Sequence, residues 1–75
     1  MTPTPVISAR TLIRVLTRLG FAEIRSRGSH HRFIHPDGRK TTVPVHRGRD
    51  LPLGLLRKIV TIDIQMNMKD FVSLL

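Results

Sequence analysis

A turn signal at His35-Pro36-Asp37-Gly38 divides the middle of the chain into short segments. Proline presets its own φ, aspartate can cap the turn, and glycine accepts a positive φ. The flanking residues predict strands at His30 to His35 and at Lys40 or Thr41 to Val45, the latter rich in β-branched side chains. Phe21 to Ser26 predicts another strand before them. We therefore expect a three-stranded antiparallel sheet.

The register between the last two predicted strands decides which way the histidines point. We expect Phe33 to pair with Val43, because this register turns both apolar side chains toward the core. It places His30 opposite His46 on the solvent-facing side, with Arg32 beside them. A slip by one residue would mix apolar and polar side chains on both faces.

Apolar residues at helical spacing predict a helix before the first strand. Ser8 is a suitable N-cap, and Gly20 stands where a left-handed C-cap is favoured. One face of this predicted helix is apolar: Leu12, Val15, Leu16 and Leu19. Another face carries a basic stripe that is either solvated or a binding surface: Arg10, Arg14 and Arg18.

Two helices are predicted after the strands. We expect Asp50 to cap the first, with Pro52 in its first turn and an apolar face formed by Leu55, Leu56, Ile59 and Val60. We expect Asn67 to cap the second, Met68 to Leu74, whose inward side chains are Phe71, Leu74 and Leu75. The order α-β-β-β-α, with this short extra helix, predicts an α+β fold with the helices packed on one face of the sheet. We expect one domain at residues 8–75 after a flexible tail at residues 1–7.

Composition narrows the possible partners. The 75 residues include 13 Lys and Arg against 5 Asp and Glu, a net charge of +8, and most of the cations are arginine. Arginine excess favours phosphate or an acidic protein as partner. With no Tyr or Trp, recognition of nucleic acid by backbone and shape is favoured over base stacking. The chain has no cysteine, no apolar run of membrane-spanning length and no secretory signal pattern, so we expect a cytoplasmic protein.

The run Gly28-Ser29-His30-His31 carries the predicted chemistry. Imidazole can take and give a proton near neutral pH, and here it is flanked by Arg25, Arg27 and Arg32, whose guanidinium groups recognise phosphate. A base among phosphate-binding groups indicates chemistry on a phosphodiester; the alternative is a polar strand whose histidines face water. We expect Gly28 to serve close backbone approach or a bulge.

The other histidines leave alternatives open. His46 is as well explained by a structural role as by that of a partner acid, and His31 is a weaker candidate for the acid, more often an inner, hydrogen-bonded residue. We expect His35 to be a turn residue. No two histidines are spaced for a helical metal site and no acidic residue is expected among them, so we predict neither a metal site nor a cofactor.

From Leu12 onward the chain resembles the HicA family of toxin mRNA interferases. The residues that carry this resemblance are Leu19-Gly20-Phe21, Gly28-Ser29-His30-His31, Phe33, Pro36-Asp37-Gly38, Val43-Pro44-Val45-His46, the run Leu51 to Ile59, and Phe71. The resemblance implies a fold like that of a double-stranded-RNA-binding domain and a metal-independent, ribosome-independent RNase. It carries the catalytic histidine onto His30 and its neighbouring glycine onto Gly28, and it implies a HicB-type antitoxin that covers the active site. This chain departs from the family at Gln65, where a glycine is usual.

These observations favour an endoribonuclease that cleaves mRNA, with His30 as general base on the ribose 2′-hydroxyl. Gly28, Ser29 and His46 are candidates for catalytic support. The expected RNA-binding residues are Arg10, Arg14, Arg25, Arg27, Arg32 and Arg47, and Arg49 is a further candidate for stabilising charge on the reacting phosphate. The alternatives are a non-catalytic module for double-stranded or structured RNA and, less favoured, a DNA-binding protein.

Overall fold

The computed structural model describes residues 2–75; Met1, the first residue of the predicted tail, lies outside them. The elements are α1 (Ala9–Arg18), β1 (Ala22–Arg27), β2 (His30–Ile34), β3 (Lys40–Pro44), α2 (Leu53–Lys58), a π-helical segment (Ile59–Asp63) and α3 (Met68–Val72). The strands form one antiparallel sheet in the order β1-β2-β3. This order of elements confirms the predicted α+β fold. Among residues 2–75 no helix is long and apolar enough to cross a membrane.

Both predicted ends of α1 are confirmed. The Oγ of Ser8 accepts a hydrogen bond from the Thr11 backbone N–H at 3.2 Å. At the other end Gly20 has a φ of +101°, the Gly20 N–H donates to Thr17 O, and the Phe21 N–H donates to Leu16 O. This pair of bonds is a Schellman motif, which satisfies carbonyl groups that a helix end leaves free. It also turns the chain directly into β1.

The turn between β2 and β3 closes as a three-residue loop, Pro36 to Gly38. The His35 N–H donates to Arg39 O at 2.8 Å, and the Gly38 N–H donates to His35 O at 2.9 Å. Gly38 has a φ of +97°, which glycine adopts without a steric penalty. Because the loop closes between His35 and Arg39, the strands pair from Ile34 and Lys40 onward.

This closure makes the predicted register wrong by two residues. Phe33 pairs with Thr41, not Val43, and Val43 pairs with His31. Because side chains alternate with a period of two, an even shift leaves every residue on its expected face. Phe33 and Val43 therefore still point into the core, where they are 2% and 0% exposed.

The prediction that Asp50 caps the second helix is wrong. Asp50 instead forms an isolated antiparallel bridge with Ser8, and the Leu51 N–H donates to Ile7 O at 2.9 Å. Pairing with the segment before α1 thus holds Asp50 in extended backbone. Pro52 takes the N-cap position of α2, with no side-chain hydrogen bond to the helix.

The chain between α2 and α3 contains a backbone irregularity. Residues 59–63 are π-helical, and the Ile64 N–H donates to Ile59 O at 2.9 Å. Gln65 then adopts a φ of +57°, the left-handed conformation that a non-glycine residue rarely takes. Asn67 caps α3 as predicted, because its Oδ1 accepts from the Asp70 N–H at 2.8 Å.

The core lies between the helices and one face of the sheet. Its members are mostly the predicted apolar residues: Ala9, Leu12, Val15, Leu16, Phe21, Phe33, Val43, Leu51, Leu56, Ile59, Val60, Ile64, Met68 and Phe71. Leu74 is half-buried against this core. The prediction that Leu75 packs inward is wrong: Leu75 is 50% exposed, because α3 ends at Val72 and Leu75 lies beyond the turn that follows.

Candidate active site and nucleic-acid interface

The face of the sheet that points away from the core is cationic. His30 pairs with Arg27 on β1, and Arg32 pairs with Arg25. Paired residues of neighbouring strands project from the same face, and Phe33, next along β2, points into the core. Lys40 joins this face because it pairs with Ile34. We call the exposed residues Arg25, Arg27, His30, Arg32 and Lys40 the cationic sheet face.

A β-bulge in β1 places its arginines and its glutamate on opposite faces of the sheet. Glu23 pairs with Phe33, and Arg25 pairs with Arg32, so Ile24 between them has no partner on β2. Without this extra residue, Glu23 and Arg25 would share a face, because they are two positions apart. The bulge places the Glu23 carboxylate on the core side and leaves the arginines of β1 with His30. The sequence carries no turn or glycine signal that would predict it.

The cations of this face have few partners in the protein. Within residues 2–75 the carboxylates of Glu23, Asp37 and Asp63 contact His31, His35, Arg39 and Lys58, all of which lie outside the cationic sheet face. Arg32 makes one long contact, from Nη1 to Thr42 Oγ1 at 3.5 Å. Like charges so placed repel one another, and an anion bound among them relieves that repulsion. The arrangement suits a phosphate ligand.

Gly28 and Ser29 form the two-residue turn that precedes His30. Gly28 has a φ of +59°, and glycine with positive φ at the first turn position is typical of tight hairpins. The one irregularity between β1 and β2 lies at Glu23/Arg25, so the predicted bulge at Gly28 is wrong. A Cβ built on Gly28 meets no atom of residues 2–75 within 4 Å, so within the protein the positive φ of this turn accounts for glycine here. Ser29 is held through its backbone, whose carbonyl accepts from the Val45 N–H at 2.7 Å.

His31 pairs with an acidic side chain, Glu23, that no local sequence signal predicts. Its Nδ1 lies 3.0 Å from Glu23 Oε2, and because a carboxylate only accepts, Nδ1 carries the donated proton. The prediction of no acidic residue among the histidines is therefore wrong, since the bulge brings Glu23 across to β2. His31 is half-buried on the core side, as the predicted inner, hydrogen-bonded residue. It points away from the face that carries His30.

His46 does not lie opposite His30, because the shifted register pairs His30 with Pro44. His46 follows β3 by two residues, about 7 Å further along an extended chain. It is exposed, with Arg47 and Arg49, in the segment that leads to α2. Two other predicted RNA-binding residues, Arg10 and Arg14, lie exposed on α1, separate from the cationic sheet face.

His35 has a structural role before its turn. Its Nε2 donates to Leu19 O at 3.0 Å, its Nδ1 accepts from the Asp37 N–H at 3.1 Å, and its ring meets Phe21 edge to face at 5.0 Å. The backbone N–H of Arg39, followed by its guanidinium, holds the pKa of Asp37 below its ordinary value. The Arg39 guanidinium also donates to Ile64 O at 2.6 Å and thereby ties the turn to the end of the π-helical segment.

No three metal-ligating side chains (His, Cys, Asp or Glu) come together within residues 2–75. The remaining features define a class of protein: a small cationic α+β domain whose open sheet face combines a histidine with guanidinium groups that have no acidic partner among the described residues. A family model described as HicA toxin of bacterial toxin-antitoxin matches residues 9–70. The chain belongs to this family and is the toxin of a toxin–antitoxin system. A search of curated proteins gives no match.

Proposed function

We propose that this toxin is an endoribonuclease that cleaves mRNA, with His30 as its general base. The observation that carries the proposal is the placement of His30 on an open face among Arg25, Arg27 and Arg32, none of which has an acidic partner within residues 2–75. Family membership supports it, since the family comprises toxins. An mRNA substrate would place the protein in the cytoplasm.

The reaction uses a nucleophile that the RNA itself supplies. A ring nitrogen of His30 takes the proton from a ribose 2′-hydroxyl, and the 2′-oxygen attacks the adjacent phosphorus. The bond from phosphorus to the 5′-oxygen breaks, leaving a 2′,3′-cyclic phosphate, and the departing oxygen takes a proton from water or an acid. This balance of atoms requires no metal ion. DNA, which lacks the 2′-hydroxyl, is not a substrate for it.

The arginines beside His30 would stabilise the phosphorane formed in this step. Its additional negative charge develops beside His30, between Arg27, which pairs with His30 on the neighbouring strand, and Arg32, which lies two residues further along β2. Positive groups already in place at the site of developing charge are among the largest catalytic contributions, and removing one donor costs about 10²–10³ in rate. Gly28 and Ser29 would support catalysis by setting the turn that presents His30.

His31 and His46 are poorer candidates for the same phosphate. Successive residues of a strand project from opposite faces, so His30 and His31 cannot flank one phosphorus atom. His46 lies beyond the pairing partner of His30. We therefore assign proton abstraction to His30, and the 5′-oxygen takes its proton from solvent or from a group that the bound RNA recruits.

Substitution of the histidines tests this assignment. We expect His30→Ala to lower the cleavage rate by about 10²–10⁴, the usual contribution of a general base. The exposed His46→Ala serves as the matched control and should retain most of the activity. Circular dichroism and thermal unfolding establish that both variants fold. Cleavage by His30→Ala at the wild-type rate would contradict the mechanism, as would abolition of cleavage by EDTA with recovery on adding one divalent ion.

A second function is favoured by one specific observation: His30 has no hydrogen-bond partner within residues 2–75 that would orient it as a base. The cationic sheet face could then act as a non-catalytic module for double-stranded or structured RNA. The same assay separates the two functions. Intact RNA that shifts on a gel with wild-type protein indicates the module, whereas cleaved RNA indicates the nuclease.

We further propose that a HicB-type antitoxin neutralises the toxin by covering the cationic sheet face. Toxin–antitoxin membership implies an antitoxin, and the +8 charge favours fast association with an acidic surface. The antitoxin and RNA would then compete. Cleavage should fall in step with added antitoxin, and hydrogen exchange should slow in β2. Stoichiometric binding with unchanged cleavage and no protection around His30 would contradict this arrangement.

A further inference from the structure

A second cluster of arginines lines a cleft beside α1. The cleft lies between the start of α1 and the segment that connects β3 to α2, and its volume is about 580 Å³. Arg10 lines it from α1, and His46, Arg47 and Arg49 line it from the connecting segment. Among the described residues, Asp50 is the one acidic residue in the lining. We call this site the arginine cleft.

The cations of the arginine cleft are available to a ligand. Arg10, Arg47 and Arg49 are exposed, and none of the ion pairs within residues 2–75 includes them. Arg47 and Arg49 lie on either side of Gly48 in a tight turn. In this turn the Arg49 N–H donates to His46 O at 3.1 Å, and Gly48 has a φ of +76°. Guanidinium groups match phosphate oxygens in geometry and in charge.

The arginine cleft adjoins the turn that presents His30. Val45 forms part of its wall, and the Val45 N–H donates to the carbonyl of Ser29 at 2.7 Å, one residue before His30. The cleft and the His30 end of the cationic sheet face are therefore joined by a direct backbone hydrogen bond. An extended strand of nucleic acid could contact both.

We propose that the arginine cleft binds a backbone phosphate of single-stranded RNA at a different nucleotide from the one that reacts at His30. The position of the reacting phosphodiester rests on the proposed function, whereas phosphate binding in the cleft does not. The cleft would act as a second point of attachment, so RNA long enough to reach both sites would bind more tightly than RNA that reaches only one. Asp50 would weaken this attachment, because its carboxylate repels the phosphate.

Binding of 2′-O-methyl RNA tests the proposal apart from cleavage, since this RNA lacks the nucleophile. The probes are a tetranucleotide and a dodecanucleotide of the same base composition, titrated at several salt concentrations. The test protein is the double variant Arg47→Gln/Arg49→Gln. Its matched control is Arg57→Gln/Lys69→Gln, which removes the same charge from exposed positions on α2 and α3. The charge-preserving Arg47→Lys/Arg49→Lys variant completes the set.

We expect the cleft variant to lower the salt-dependence slope for the dodecanucleotide by about 0.7 for each phosphate that the protein no longer neutralises. The slope for the tetranucleotide, which reaches one site at a time, should fall less than that for the dodecanucleotide. Both slopes of the control should stay unchanged, and the lysine variant should recover much of the slope. Asp50→Asn should bind the dodecanucleotide more tightly, an increase in affinity that misfolding does not explain. Cleavage is measured on unmodified RNA and cleft binding on 2′-O-methyl RNA, so failure of the proposed function and failure of the cleft proposal are separate results.

Three results would overturn the proposal. The control pair could weaken dodecanucleotide binding as much as the cleft variant does, which would show attraction by net charge alone. The cleft variant could affect the tetranucleotide and the dodecanucleotide equally, which would show one site. The cleft variant could bind poly-L-glutamate more weakly than wild type while its RNA binding stays unchanged. This result would assign the cleft to an acidic protein surface instead.

Discussion

Gln65 occupies a backbone conformation in which glycine should be more stable. Its φ of +57° brings Cβ against the following carbonyl group, at a cost of about 1–2 kcal/mol for an L-residue. The side chain is exposed and makes no hydrogen bond within residues 2–75, so its removal loses little. Glycine lowers stability through the greater freedom of the unfolded chain by about 0.4–1 kcal/mol. We therefore expect Gln65→Gly to raise the free energy of unfolding by about 0.5–1 kcal/mol.

Thermal and urea unfolding of a short series measure this effect. For a domain of this size, a gain of about 1 kcal/mol raises Tm by about 4–8 °C. Gln65→Ala retains the Cβ and is the control, which should show no comparable gain, and Gln65→Asn should fall between Ala and Gly because asparagine tolerates the left-handed region. If Gly is no more stable than Ala, the stored backbone strain is absent and the reasoning is refuted.

Three further substitutions test other contacts. Asp37→Asn should be less stable than wild type near neutral pH, because hydrogen bonds from Arg39 hold the pKa of Asp37 below its ordinary value. The difference in unfolding free energy should shrink as the pH falls below about 4, where the carboxyl of the unfolded chain takes up its proton. Urea unfolding across that pH range measures this difference. Thr41→Val should cost about 1–3 kcal/mol in urea unfolding, because the buried hydroxyl donates to Asp63 Oδ2 at 2.8 Å. Phe71→Ala should cost about 3–5 kcal/mol, since its side chain is 0% exposed, and a near-native urea midpoint would contradict this.

The elements of the fold were predictable where local chemistry decides them. Ser8 and Gly20 mark the ends of α1, and strand positions agree to within one residue at most ends. Alternation along β2 also placed His30 on the open face, because the face of a residue depends on parity and survives an even shift in register.

The details of the site depend on contacts between distant residues, and these were not predictable. The size of the loop after His35 is set by a hydrogen bond to Arg39, and the residues there permit more than one closure. The bulge at Ile24 and the resulting pair of Glu23 with His31 depend on how β1 pairs with β2. Asp50 has a side chain suited to capping a helix, but the backbone bridge to Ser8 keeps it out of the N-cap position of α2.

The products of RNA cleavage test the central claim most directly. A synthetic RNA is incubated with wild-type protein in EDTA, and the masses of the fragments are measured by mass spectrometry. A 2′-O-methyl RNA of the same sequence is treated in the same way. We expect a 5′ fragment that ends in a 2′,3′-cyclic phosphate, no cleavage of the methylated RNA, and loss of the cyclic product with folded His30→Ala. Cleavage of the methylated RNA, or an unchanged yield of cyclic product from His30→Ala, would contradict this mechanism.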